Sequence, residues 1–308
     1  MRFIVSTSTL LKQLQSVSGA LSNSTVLPIL ENFLFEIKDG NLTISATDLQ
    51  TSMTTSLTVE AKENGRIAIP SRTRRETRKA LPEQPIAFNI DDTTFAIEIN
   101  AGDGKYKLSG ENGEDFPKIP VVENASSVNL PASVLAEAIN KTIFAVSNDE
   151  LRPAMTGVYC QLSTSSLTFV ATDAHKLVRY RRTDAKAAST ASFILPKKAL
   201  NLLKSALPSE DINVSVEYNS TSAFFKFSNI NLVCRLIDER YPDYEAVIPK
   251  NNPNKLTIDR QAFLGSLNSV AIYANKTTHQ VRLKISGSEL NISSEDIDFA
   301  NEAHERLK

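Results

Sequence analysis

Short runs in which apolar and polar residues alternate make up most of the chain, and a few stretches with helical spacing separate them. The run at 42–47 alternates in this way and predicts a half-buried strand. The i, i+3, i+4, i+7 spacing of an amphipathic helix follows Pro131 and is carried by Leu135, Ala138, Ile139 and Thr142. This mixture predicts an α+β fold in which helices lie on one face of antiparallel sheets.

The alternating pattern occurs three times at a long period. The segment Leu-Thr-Ile-Ser-Ala-Thr-Asp begins at Leu42, and its counterparts begin at Leu167, 125 residues later, and at Leu290, a further 123 residues on. A segment with helical spacing precedes each copy. Three copies with the same sub-elements in the same order predict tandem homologous domains.

The first two copies also share a second half. Residues 67–70 match 193–196, and the Ala-Leu-Pro triplet at 80–82 matches the one at 206–208. Each domain therefore reads as a duplicated strand–helix–strands unit. Proline-rich segments separate the copies, which predicts three domains at 1–122, 123–250 and 251–308. The third would need roughly 70 more residues to match the first two, so we expect the chain to be a shortened form.

Charge and composition exclude several classes of protein. Lys and Arg total 34 and Asp and Glu total 35, so any nucleic-acid role requires the basic residues to be concentrated on one surface. No run is long enough for a membrane span or a signal peptide. Cys160 and Cys234 have no neighbouring partner and are expected in the core of a protein in the reducing cytoplasm.

No catalytic or metal-binding pattern is present in the sequence. His175, His279 and His304 lack metal-ligand spacing, and the Gly-Asp-Gly-Lys stretch at 102–105 is typical of a hairpin turn. Asp48, Asp173 and Asp296 recur at the same point of each repeat, which favours a structural role in a turn over catalysis. We therefore predict a protein without enzyme activity, cofactor or metal.

Four segments together carry a resemblance to a known family. They are Leu-Pro-Ile-Leu at 27–30, Ala-Thr-Asp-Leu at 46–49, Ala-Thr-Asp-Ala-His-Lys-Leu at 171–177 and Arg-Leu-Ile-Asp-Glu-Arg-Tyr-Pro-Asp-Tyr at 235–244. In this order they resemble the bacterial sliding clamps, the β subunits of DNA polymerase III, along essentially the whole chain. The resemblance implies tandem DNA-clamp domains in a head-to-tail homodimer that closes a ring around double-stranded DNA, whatever its sequence. It also implies a processivity factor that recruits the replicative polymerase, the clamp loader and repair proteins through short apolar motifs.

The resemblance implies DNA contacts on the channel-facing helices. The basic residues at or beside matching positions are Arg152, Lys197, Lys198 and Lys204. The alternative is an ordinary solvated helix face. Asp149 and Ser24 depart from the family pattern, since a carboxylate repels phosphate and the loop around Ser24 often carries a basic residue.

An apolar dimer contact is implied at Tyr106 of the first domain and at Ile272 and Tyr273 of the third. These residues could equally be core residues of single domains. The stretch 72–79 is polar on all sides although it aligns with a core helix of the second domain. Either Arg72 and its neighbours reach the acidic third domain of the partner, or this helix is shifted, poorly packed or altered from the natural sequence.

The recruitment site of the family is a hydrophobic cleft between the second and third domains that accepts a short peptide with apolar anchors. The matching positions here are Met155, Thr172, Ala174, His175, Lys176, Leu177, Pro242 and Val247. The opposite wall would come from residues beyond 308, so the sequence predicts a half-formed cleft.

Two other classes of function compete with the clamp. An α+β enzyme with internal duplication would need a pocket lined by convergent polar groups. A purely structural module of β-rich repeats would show no dependence on DNA and no binding of apolar peptides.

Overall fold

The computed structural model describes residues 1–22, 26–71 and 82–307. Within these ranges the chain divides into two compact units, Met1–Tyr244 and Glu245–Lys308. The polar stretch at 72–79, with Arg72, lies outside the described residues, as does Ser24.

The α-helices of the described residues are α1 Thr7–Val17, α2 Ala132–Thr142, α3 Lys197–Ala206 and α4 Arg260–Ala271. Short 3-10 helices occur at Ser18–Ala20, Pro28–Glu31, Gly113–Asp115, Ile143–Ala145, Pro153–Thr156 and Tyr244–Val247. No helix among the described residues has the length and apolar character needed to cross a membrane.

The strands of the first unit are β1 Arg2–Ser6, β2 Asn32–Lys38, β3 Asn41–Thr47, β4 Thr51–Thr58, β5 Glu60–Ala61, β6 Gly65–Pro70, β7 Pro85–Ile90, β8 Ala96–Ala101, β9 Gly104–Ser109, β10 Glu111–Asn112, β11 Ser126–Pro131, β12 Gly157–Leu162, β13 Leu167–Thr172, β14 Leu177–Arg182, β15 Ala191–Pro196, β16 Asn213–Tyr218, β17 Ser222–Phe227 and β18 Ile230–Arg235. The strands of the second unit are β19 Arg282–Ser286, β20 Glu289–Asp296 and β21 Asn301–Leu307.

Every strand pairing among the described residues is antiparallel. The first unit contains a five-stranded sheet in the order β5-β1-β7-β8-β9, a nine-stranded sheet in the order β10-β6-β2-β3-β4-β18-β17-β16-β11 and a four-stranded sheet in the order β14-β13-β12-β15. The second unit holds the sheet β19-β20-β21. This α+β architecture confirms the fold class predicted from the alternating pattern.

The nine-stranded sheet joins the first two sequence repeats. Strand β4 of the first repeat pairs with β18 of the second, with Thr55 opposite Ile230 and Thr51 opposite Cys234. The side chain of Asn229, in the turn before β18, donates to Gln13 Oε1, Thr55 Oγ1 and the Ser56 carbonyl at 2.9–3.0 Å. We call this pairing and its polar cluster the seam.

The predicted helix spacing is confirmed in the core. In α2, Leu135, Ala138, Ile139 and Thr142 are all buried, and the Thr142 hydroxyl donates to the Ala138 carbonyl at 2.7 Å. Burial of a side chain such as Leu135 stabilises the fold by about 1.5–3 kcal/mol. Cys160 and Cys234 are free and buried, and burial raises the pKa of the Cys234 thiol to about 12, so both act as small core residues.

The second unit has a smaller core of its own. Helix α4 begins after Asp259, whose carboxylate caps it by accepting from the Ala262 N–H at 2.8 Å. Val270, Leu290 and Ile292 are buried between the helix and the sheet. The predicted strand at 290–296 is confirmed as the larger part of β20.

Candidate functional site

A tight turn between β13 and β14 carries four of the residues expected in the peptide cleft. Thr172 Oγ1 accepts from the Ala174 N–H at 3.1 Å and donates to the Lys176 carbonyl at 2.8 Å. Asp173 Oδ1 accepts from the backbone N–H groups of His175 and Lys176 at 3.0 and 2.9 Å. Ala174 lies in the left-handed region with φ 74°. These local bonds fix the turn and leave the side chains of residues 174–176 exposed.

The first repeat builds the same turn. Asp48 Oδ1 accepts from the N–H groups of Gln50 and Thr51, Thr47 Oγ1 accepts from the Leu49 N–H, and Leu49 also has φ 74°. In the third repeat Asp296 Oδ1 accepts from the Asp298 N–H at 3.1 Å. The structural role predicted for the recurring aspartates is therefore confirmed.

The charge of Lys176 is partly neutralised within the turn. Its ammonium group is bonded to Asp173 Oδ2, and this ion pair, with the two backbone N–H donors, holds the pKa of Asp173 well below its usual range. The carboxylate stays ionised down to acidic pH, so its support of the turn is present above the ordinary aspartate pKa and is lost only as pH falls through the lowered value.

Met155 and Leu177, two further cleft residues of the first unit, lie around the same end of β13. Because Tyr159 of β12 stands opposite Val170 of β13, the segment just before β12, with half-buried Met155, runs beside the end of β13. Leu177 begins β14 and is also half-buried, whereas Pro242 is exposed. Val247 belongs to the second unit and is 68% exposed.

The four basic residues expected to contact DNA differ in their partners. Lys197 donates to the Asn148 side chain at 2.8 Å, and Arg152 Nε donates to Asp149 Oδ2 at 2.8 Å. Lys198 is ion-paired with Asp48 of the first repeat. Lys204 is exposed and has no ion pair within the part of the chain that the structure describes.

The ion pair with Arg152 offsets the negative charge of Asp149. The Arg152 guanidinium and the Leu151 N–H hold the pKa of Asp149 below its ordinary value. A loop with an acidic residue beside a basic one therefore presents little net charge to a phosphate backbone.

The expected dimer-contact residues are exposed. Tyr106 lies on β9, an edge strand of the five-stranded sheet, and is 44% exposed. Ile272 and Tyr273 follow α4 and are 79% and 46% exposed. The alternative that these are core residues of single domains is therefore wrong.

Among the described residues, no group of three or more His, Cys, Asp or Glu side chains could hold a metal ion.

Family models match the chain in three consecutive parts. Residues 1–120 match the N-terminal domain of the DNA polymerase III beta subunit, 129–243 the central domain and 245–308 the C-terminal domain. The chain belongs to the DNA polymerase III β-subunit family. The family is that of the non-catalytic β sliding clamps.

Individual relatives agree. The beta sliding clamp of Synechocystis sp. is 29% identical over 324 residues, an alignment covering 98% of this chain and 83% of the relative. A β subunit from Thermotoga maritima, solved as a crystal structure, is 27% identical with a TM-score of 0.89. A sliding clamp from Bartonella birtlesii, solved bound to griselimycin, is 28% identical with a TM-score of 0.92. Both alignments cover 100% of this chain and 83% of the solved chain.

Two features of this clamp subunit were not predicted from sequence. One is the ion pair between Lys198 and Asp48, which lie 150 residues apart. The other is the bonding of Asn229 to α1 and β4 across the seam. The recurrence of the aspartate predicts its turn but not its pairing with Lys198, and nothing in the sequence around Asn229 distinguishes it from an ordinary turn residue.

Proposed function

We propose that this chain is a processivity factor that encircles duplex DNA as a ring and tethers the replicative polymerase, the clamp loader and repair proteins. The observation that carries the proposal is the ordered match of all three parts of the chain to one non-catalytic clamp family. A ring holds DNA by topology, so it needs no base contacts and no chemistry of its own.

The DNA-facing residues we propose are Arg152, Lys197, Lys198 and Lys204. Two of these cations are paired with carboxylates within the protein, Arg152 with Asp149 and Lys198 with Asp48. Phosphate contacts therefore replace existing ion pairs and add little net affinity. Weak contacts suit a ring that slides, because each strong phosphate contact would have to break at every step.

We further propose that the recruitment cleft uses Met155, Thr172, Ala174, His175, Lys176, Leu177, Pro242 and Val247. The grouping of the first six around the end of β13 supports this assignment, Pro242 follows the anchored Tyr241, and Val247 rests on the resemblance alone. A half-buried methionine and leucine beside an exposed polar turn suit apolar peptide anchors from several partners. Griselimycin, to which the Bartonella birtlesii clamp is bound, is the natural probe for this cleft.

For the ring closure we propose that β9 of one protomer pairs with β21 of its partner. The seam supplies the template, because β18 is the counterpart of β9 in the second repeat and β4 is the counterpart of β21 in the first. If β9 and β21 pair in the register that β18 and β4 adopt, Tyr106 lies opposite Ala303 of the partner and Lys107 lies opposite its Glu302. A large ring then faces a small residue, and opposite charges face each other.

The helix ends support the same arrangement. Between the first two repeats, Gly19 just after α1 lies so close to Leu202 of α3 that a Cβ on Gly19 would clash with Leu202 Cδ2. Ile272 and Tyr273 occupy the corresponding place after α4 and are free to meet the partner. Arg72, outside the described residues, is retained as a proposed interface residue on the resemblance.

Retention on nicked circular DNA, loaded with a clamp loader at moderate salt, tests the function. We expect the protein to stay on circles and to leave once they are linearised, because linear ends release a ring. Ordinary electrostatic binding would ignore topology and weaken steeply with salt. Equal loss from circles and linear DNA would refute a ring closed by this chain.

A further inference from the structure

The segment after β18, residues 236–244, runs from β18 past β15 to β12 of the second repeat. We call this segment the strap. Its Leu236 N–H donates to the Thr221 carbonyl at 2.8 Å, and its Ile237 N–H donates to the Ile194 carbonyl on β15 at 3.1 Å. The strap therefore leaves β18 and first bonds to the backbone of the edge strand β15.

Three tyrosines attach the far end of the strap. The rings of Tyr159 on β12 and Tyr241 stack with centroids 4.6 Å apart and planes 6° apart, and Tyr244 meets Tyr159 edge-on at 6.4 Å. The Tyr244 hydroxyl donates to Gln161 Oε1 at 2.5 Å, and the Tyr241 hydroxyl makes a long 3.5 Å contact to the Val170 carbonyl. Tyr159 is thus the common contact of both strap tyrosines.

Burial shows what the strap covers. Cys160 of β12 faces the core, so its neighbours Tyr159 and Gln161 face outward. On β13 the outward residues opposite them are Val170, 0% exposed, and Thr168, 8% exposed. The strap tyrosines lie on this outward face and contribute to its burial.

The first repeat has the same device in simpler form. Leu34 is the counterpart of Tyr159, and Phe116 of Tyr241; both are buried and share a cluster with Ala68 and Ile119. The segment around Phe116 connects the first repeat to the second and carries none of the proposed cleft residues. The strap of the second repeat also carries Pro242, which is exposed and directly follows Tyr241, whose hydroxyl reaches the Val170 carbonyl near the end of β13.

We propose that Tyr159 is a positioning residue of the peptide-binding cleft: its ring fixes the strap through Tyr241 and Tyr244 and so holds Pro242 beside the Thr172 turn. This inference rests on the cleft assigned under the proposed function. Without the ring, the strap samples other conformations, and a ligand must order it on binding. Tyr159 need not touch the ligand, since it acts through the strap.

The test compares griselimycin affinity across four forms of the full chain. We expect Tyr159→Ala to raise the dissociation constant about tenfold, which corresponds to about 1.4 kcal/mol. Tyr159→Phe keeps the ring and should stay within about twofold of the unmodified protein. Leu34→Ala is the matched control, because it removes the equivalent anchor of the first repeat, far along the chain from the cleft residues, and should also leave the affinity within about twofold.

Amide hydrogen exchange provides a second readout that needs no ligand. Faster exchange confined to residues 168–177 and 236–244 is expected in Tyr159→Ala but not in Tyr159→Phe. If Tyr159→Ala fails to fold, Gln161→Leu takes its place, since it removes only the acceptor of the Tyr244 hydroxyl and should weaken griselimycin by a smaller factor of about three.

The results distinguish a failure of the positioning role from a failure of the cleft assignment. Met155→Ala should weaken griselimycin directly. If it does so while Tyr159→Ala binds normally, or if Leu34→Ala weakens binding as much as Tyr159→Ala, the positioning role is wrong and the cleft stands. If the unmodified chain does not bind griselimycin, or if no cleft substitution changes its affinity, the cleft assignment itself falls.

Discussion

Arg152 and Lys198 each carry a formal positive charge toward the proposed DNA surface, yet each is already bonded to a carboxylate. Asp149 is the partner of Arg152, and Asp48 is the partner of Lys198. Exposed pairs of this kind contribute little to stability, so their main effect is on the charge offered to a ligand. At the scale of residues, these ion pairs lower the positive charge that the proposed surface offers to phosphate.

Substitution Asp149→Asn tests this arrangement. The asparagine removes a repelling charge and frees the Arg152 guanidinium for one more phosphate contact, so the slope of log affinity against log salt should steepen by about 0.9. The loss of affinity between about 50 and 200 mM salt then grows about threefold. Because the pKa of Asp149 is held below its ordinary value, the difference should persist unchanged around neutral pH.

Fluorescence anisotropy with short duplex DNA measures this slope. Asp184→Asn is the control, since Asp184 pairs with Arg182 in the same way but belongs to no proposed DNA contact. An unchanged slope for Asp149→Asn would mean that Arg152 does not meet phosphate.

At the scale of elements, we propose that two edge strands close the ring. Strand β9 carries Lys105 and Lys107, and β21 carries Glu302 and Glu305; within the described residues each strand has a pairing partner on one side only. An unpaired edge with alternating exposed side chains is a template for another strand, and the opposite charges favour pairing between these two. The seam shows the chain making the same kind of junction internally.

A charge exchange tests the register of β9 against β21. Lys107→Glu should raise the dimer dissociation constant roughly tenfold, because each of two junctions loses about 0.5–1 kcal/mol when like charges face each other. Adding Glu302→Lys should restore dimerisation, as measured by sedimentation equilibrium.

Glu305→Lys is the control for that register. Three residues from Glu302, it projects from the opposite face of β21 and should not rescue Lys107→Glu. Equal rescue by both substitutions would show that the charges attract generally and that the seam register does not apply.

At the scale of the whole molecule, repeats in the sequence and folding units in the structure are different divisions. We propose domains at 1–122, 123–250 and 251–308, yet the first two share a continuous sheet and form one compact unit, Met1–Tyr244. The pairing of β4 with β18, the bonds of Asn229 and the Lys198–Asp48 pair all cross the boundary between these repeats. A repeat can be a unit of sequence without being a unit of folding.

Two fragments of the chain distinguish these divisions. We expect residues 1–244 to fold with a single cooperative thermal transition, whereas residues 1–122 should lose the partner of β4 and aggregate through the exposed edge. Circular dichroism melting and size-exclusion chromatography measure both. A monomeric 1–122 fragment with the melting temperature of 1–244 would show that the seam adds no stability.

Local features were predictable because they depend on neighbours in sequence. Helix α2 follows from the spacing of its apolar residues, and the hairpin at Gly102 follows from its turn residues, with φ 54° at that glycine. The Thr-Asp turns are closed by bonds within four residues, so their recurrence was a sufficient signal. The α+β class and the absence of a catalytic pattern could be predicted on the same grounds.

The contacts that matter for the site join residues far apart in sequence. Lys198 meets Asp48, Asn229 meets Gln13, and Tyr159 stacks on Tyr241 only because strands β4, β12 and β18 take their places in the sheets. Each of these side chains has an ordinary sequence context, and its energy comes from a partner that local patterning does not specify. The sequence by itself determined the elements, the turns and the family, while the tertiary structure decided which charges are neutralised and which strand edges remain open.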